Sequence, residues 1–93
     1  MLESKIERAC CKWAKSLGIM NKKLTHDKGD TDRIFLYQGG VFFVEFKAPG
    51  EEARAIQIYR HQELEAQGFL VMVIDDVEVF KRVVTVWLRL KKT

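Results

Sequence analysis

The chain has 93 residues, 47% apolar and 31% charged, which suits one small hydrophobic core and excludes a disordered polyelectrolyte, so residues 1–93 are read as a single domain. Sixteen Lys and Arg against 13 Asp and Glu leave a net charge of +3, which permits an anionic partner without by itself indicating nucleic acid. No apolar run reaches the roughly 18 residues of a membrane span, and the acids within MLESKIERACCKWAK deny it the apolar stretch of a secretion signal; a cytoplasmic protein is expected, neither membrane-bound nor secreted.

From Leu2 to Leu17, apolar residues recur at three- and four-residue spacing (Leu2, Ile6, Cys10, Trp13, Ala14, Leu17), the stripe of an amphipathic helix that Gly18 ends. Cys10 and Cys11 are neighbours on that helix, pointing about 100° apart, and are read as reduced packing residues. No Cys-x-x-Cys or paired His accompanies them, so structural zinc is not expected. Met20 to Asp27 reads as a short polar edge strand before a turn at Lys28-Gly29-Asp30. Arg33 to Tyr37 is a strand, Gln38-Gly39-Gly40 a hairpin turn, and Val41 to Lys47 the returning strand. Pro49-Gly50 closes it, and Glu51-Glu52 favour a helix start at the positive end of its dipole, giving a helix over Ala53 to Gln67 with Ile56, Tyr59, Leu64 and Ala66 as its apolar positions. Phe69 to Ile74 is wholly apolar, which predicts a strand covered on both faces and central in the sheet. In the tail, Asp75 and Glu78 resemble a capping box ahead of a helical face of Phe80, Val83, Val84, Trp87 and Leu88, although the alternation of Val84, Val86, Leu88 and Leu90 also allows a strand; the helix is preferred. The fold class is therefore α/β, ordered α-β-β-β-α-β-α, with a mixed central sheet flanked by helices.

The chemistry gathers on the second hairpin strand. Alternate side chains share a face, so Glu45 and Lys47 project together with Phe43, while Val44 and Phe46 face the other way. For an arbitrary strand this would be a solvated ion pair. Here the paired strand starts at another acid, Asp32, which the hairpin places opposite residue 46 or 47, within reach of Glu45. Two carboxylates beside a lysine suit a hard cation, Mg²⁺ or Mn²⁺, which takes one or two carboxylates, waters and substrate phosphate. A lysine there can orient or deprotonate the attacking water, or stabilise charge building on the phosphate. The arrangement is that of phosphodiester hydrolysis.

Gly29-Asp30-Thr31-Asp32-Arg33-Ile34, the Gly39-Gly40 hairpin and Glu45-Phe46-Lys47-Ala48-Pro49-Gly50 resemble the Asp…Glu-x-Lys signature of the PD-(D/E)xK nuclease superfamily, and in detail its VRR-NUC (virus-type replication-repair nuclease) family. The resemblance spans about Gly29 to Gly68, and its core order, αβββαβ followed by a C-terminal helix, agrees over most of the chain. Thr31 stands where the family has proline, which costs rigidity but removes no ligand. Asp32 is preferred over Asp30 as the motif aspartate, by spacing and by the adjoining Arg33-Ile34. The resemblance implies that Asp32 and Glu45 bind the metal with the main-chain carbonyl of Phe46, and that Lys47 acts on water. It further implies an acid on the first helix touching the metal directly or through water, which the helical stripe assigns to Glu3 over Glu7. The family's helix glutamine falls at Gln57 rather than Gln62, where an amide would hold the lysine or a water. His26 and His61 are read as exposed histidines that the site does not require.

Lys22, Lys23, Lys28, Arg33, Arg54 and Arg60 are the candidate DNA contacts, with Lys12 and Lys15 near them in sequence, acting on phosphates rather than bases because no base-reading module is evident. The expected function is a divalent-metal-dependent, structure-selective DNA endonuclease that, like stand-alone members of the family, resembles a homodimeric Holliday-junction resolvase. No organic cofactor is expected. The rival reading is a non-catalytic nucleic-acid-binding or assembly module retaining the nuclease fold; a nicking enzyme needing a fused specificity domain is a third.

Overall fold

The computed structural model describes residues 2–24 and 31–91. Helix α1 (Glu3–Ser16) leads into strand β1 (Met20–Lys23), the hairpin β2 (Arg33–Tyr37) and β3 (Gly40–Phe46), helix α2 (Ala55–Ala66), strand β4 (Leu70–Ile74) and helix α3 (Val77–Lys91). The α-β-β-β-α-β-α order is the one the sequence predicts, and the tail is the helix. The sheet runs β1-β2-β3-β4, antiparallel across its first three strands and parallel between β3 and β4. The expected strand over Met20 to Asp27 is the edge strand β1, ending at Lys23; residues 25–30, with His26, Lys28, Gly29 and Asp30 among them, lie outside the described residues.

The core sits between the sheet and α1 and α3. Phe35 and Phe42 are cross-strand partners stacked 4.9 Å apart, and Phe80 of α3 lies 5.5 Å from Phe35. All three rings are fully buried, with Ile6, Cys10 and Ala14 of α1 in the same cluster, and each ring removed from water contributes about 2 kcal/mol. Val83, Trp87 and Leu88 pack against the cluster, as the predicted face of α3 requires. Cys10 and Cys11 are free thiols, and burial pushes the Cys10 thiol up to about 12, consistent with packing rather than reactivity.

Four details differ from expectation. The hairpin turn has two residues, not three: Gln38 and Gly39 both take positive φ (47° and 80°), and β3 starts at Gly40, as a right-twisted two-residue turn demands. Strand β4 is an edge strand rather than a central one, and Val73 on it is 43% exposed. Its apolar character comes from lying between α2 and α3, which a hydrophobic run cannot distinguish from burial between two strands. The cap of α3 is Asp76, whose Oδ1 accepts from the Glu78 and Val79 amides, while Asp75 accepts from the Gly50 amide and ties the loop after β3 to the end of β4. Finally, α2 begins at Ala55, with no acid in its first turn, and its apolar positions Ile56 and Tyr59 are exposed.

Candidate active site at the end of the β2–β3 hairpin

Arg33 pairs with Val44 in the β2–β3 ladder, which puts Asp32 level with Glu45, slightly nearer than the register expected from a three-residue turn. The Asp32 amide donates to the Val44 carbonyl (3.0 Å), and Asp32 Oδ2 accepts from the Phe46 amide (2.7 Å). Main-chain hydrogen bonds thus fix the aspartate against the strand that carries the glutamate. Alternation does the rest: Phe42, Val44 and Phe46 are fully buried in the core, while Glu45 and Lys47 occupy the opposite face.

That face is not solvated. Glu45 is 3% exposed and Lys47 9%, and Lys47 Nζ stands 4.0 Å from Glu45 Oε2. Burial, and secondly the charge of the adjacent Asp32 carboxyl, push the Glu45 carboxyl up to about 8; Lys47 opposes that shift. Glu45 Oε1 is buried without a hydrogen-bond partner. A cation would relieve both the crowding of the two acids and the unpartnered oxygen, so the residues fit a hard divalent ion. Among the described residues no three or more His, Cys, Asp and Glu side chains are grouped for a metal.

Gln57 holds the glutamate. Its Oε1 accepts from the Arg54 amide at the start of α2 (2.8 Å), and its Nε2 donates to Glu45 Oε2 (2.9 Å). The first bond caps the helix, and it leaves the amide nitrogen aimed at Glu45. The partner is therefore Glu45 rather than the Lys47 or water anticipated for this amide. One turn on, His61 is also buried, and its Nε2 has no partner. Burial lowers its pKa, with Glu65 opposing and Lys47 assisting, so the expectation of an exposed histidine is wrong. Helix α2 covers the site with a polar stripe, Gln57 and His61, and turns Ile56, Ile58 and Tyr59 outward. The sequence signal for this was the weak apolar periodicity of α2 itself.

Helix α1 brings its first turn to the same place. Glu3 is exposed, and loss of part of its water, then the Asp32 charge, raise its carboxyl, with Lys47 opposing. Glu7 instead binds Arg33 Nε (2.5 Å), and Arg33 also donates to Asn21 Oδ1 (2.9 Å). The candidate DNA contacts among the described residues lie on several elements. Lys22 and Lys23 are exposed on β1, Arg33 is tied to Glu7 and Asn21, Arg54 precedes α2, Arg60 pairs with Glu63 (3.0 Å), and Lys28 lies outside the described residues.

No protein-family model matches the sequence, and no curated protein matches it either. A solved chain described as a VRR_NUC domain does match in structure, with a TM-score of 0.81, 21% identity, and coverage of 89% of this chain and 94% of that one. The residues that resemble VRR-NUC in sequence are thus set in a matching framework, and the chain has the fold of a VRR_NUC domain.

Proposed function

We propose that the chain is a divalent-metal-dependent, structure-selective DNA endonuclease of the VRR-NUC family, a single cytoplasmic domain acting as a homodimer on branched or four-way-junction DNA in replication, recombination or repair. The observation that carries the reading is the buried Glu45 carboxyl set beside the half-buried Asp32, with Glu45 Oε1 unpartnered and Lys47 next to it, on a fold matching a VRR_NUC domain. Bringing a buried carboxyl next to a second acid is costly, and this pair is held in place by the Phe46 amide and by Gln57.

Asp32 and Glu45 would hold Mg²⁺ or Mn²⁺ together with the Phe46 carbonyl, and Glu3 would assist through water. Bound there, the ion supplies charge neutralisation at the phosphate and a more acidic water. Gln57 fixes the rotamer of Glu45, and the Phe46 amide fixes Asp32. Lys47, held on the same face as Glu45, presents its ammonium where the attacking water and the phosphate oxygens meet, orienting the one and stabilising charge on the other. A twofold pair of such sites would address two strands of a junction symmetrically.

The test is cleavage of labelled duplex, flap, splayed-arm and four-way-junction DNA with Mg²⁺ or Mn²⁺, with mass measured in solution. Cutting of branched substrates by a dimer is expected. Strand scission that continues undiminished in EDTA would contradict the metal dependence, and no cutting of any substrate would contradict the reading and leave a nuclease-like binding module.

A further inference from the structure

A second concave feature lies on the other face of the sheet, where α1 crosses β1 and β2. It is a groove of about 460 Å³, and its cations are Arg8, Lys12 and Lys15 of α1, Lys23 of β1 and Arg33 of β2. Glu7, the acid in this lining, is bound to Arg33. Five positive charges against one negative exceed the +3 of the entire chain, so the charge that looks modest in composition is concentrated on one surface.

We propose that this groove is a binding site for the sugar-phosphate backbone of DNA flanking the bond that is cut; the proposal rests on the nuclease reading above and adds a location for the substrate's arm. Three features favour a polyanion over a small anion. Arg8, Lys12 and Lys15 form one stripe at four- and three-residue spacing and span about 10 Å of helix axis. Phosphates of one B-form strand advance about 3.4 Å per step, so the stripe meets about three of them. Arg33 is tied to Glu7 and Asn21 at the groove's end, so its guanidinium is oriented before any ligand arrives. No aromatic ring is among the described residues lining the groove, which suits contact with backbone rather than stacked bases. Direction follows from the chain: Glu3 precedes Glu7 by one turn of α1, and Asp32 adjoins Arg33. A strand leaving the carboxyl pair over the start of β2 meets the groove there.

Cys11 supplies a probe, because it lines the groove and is part-exposed while Cys10 is fully buried. The experiment compares the unaltered protein with the double variant Lys12→Glu, Lys15→Glu, both positions being exposed on a helix. Binding to a fluorescent 30-base-pair duplex is measured in EDTA across a salt series, and alkylation of Cys11 by N-ethylmaleimide is timed with and without that duplex. The expected results are binding at least tenfold weaker in the variant at about 0.1 M salt and a log–log salt slope shallower by roughly two, since each lost phosphate contact removes about 0.9. Alkylation of Cys11 in the unaltered protein should be slowed several-fold by the duplex. Equal binding and salt slope in the two proteins, with Cys11 unprotected, overturn the groove while leaving the nuclease reading intact. Protection by polyglutamate but not by the duplex also overturns it, in favour of an acidic protein partner. No duplex binding by the unaltered protein overturns the groove as well, whereas the nuclease reading falls only if no DNA of the branched panel is cut.

Discussion

Glu45 shows most clearly what the site demands of single residues. It is buried beside another acid, and its carboxyl is pushed up to about 8, well above the roughly 4.3 of an unfolded chain. Between those two values the folded state holds a proton that the unfolded state has lost, so metal-free stability falls as pH rises through that window. The contribution is present in full below the unfolded value and is gone above about 8. Replacing the group with a neutral isostere removes it: in EDTA, Glu45→Gln should have a higher melting temperature than the unaltered protein at pH 9, with the gap closing towards pH 5. Thermal unfolding at both pH values checks this, and a gap independent of pH would contradict the assigned shift. The motif made Asp32, Glu45 and Lys47 legible in the sequence, because alternation alone puts Glu45 and Lys47 on one face. Their burial was not, since strand alternation ordinarily turns such a pair to water, and the helix that covers them is visible only in the fold.

At the scale of elements, what decided the outcome was geometry that short-range pattern does not encode. The predicted hairpin was right in its strands but one residue long in its turn, and that residue is Gly40. It is not needed for φ; it is needed for space, since a Cβ there would stand 2.7 Å from the Trp87 ring and closer still to the Lys91 side chain. Lys91 can move, but Trp87 is packed edge-on against Phe42. Gly40→Ala should therefore cost about 1–3 kcal/mol, read as a lower urea midpoint at unchanged slope. The start of α3 offers a sharper contrast. Asp76→Ala removes the cap and should cost about 1 kcal/mol, whereas a larger loss from Asp75→Ala would restore the capping box first read from the sequence. The capping-box spacing to Glu78 points to Asp75, and it misleads because the backbone path after β4 sets the helix start one residue later, at Asp76. Helix α2 was misread for a related reason. Its inward face is chosen by the charged groups beneath it, so Gln57 and His61 go inside and Ile56, Ile58 and Tyr59 outside, against the usual hydrophobic pattern.

For the whole molecule, the order of elements and the mixed sheet were legible because each helix and hairpin carries its own local signal, and the structural match to a VRR_NUC domain places them in a known fold. The placement of β4 at the edge was not legible, because two covering helices and two neighbouring strands leave the same apolar run. Charge behaves likewise: a net +3 conceals a surface with five cations in one groove. The central claim, that Asp32, Glu45 and Lys47 form a metal-dependent hydrolytic site, is tested most directly by single-turnover cleavage of a labelled four-way junction in Mn²⁺ alongside a binding assay on the same DNA. Lys47→Ala and Asp32→Ala should each lose at least about 100-fold in cleavage rate while DNA affinity stays within a few-fold. Full cutting by either variant would contradict the claim.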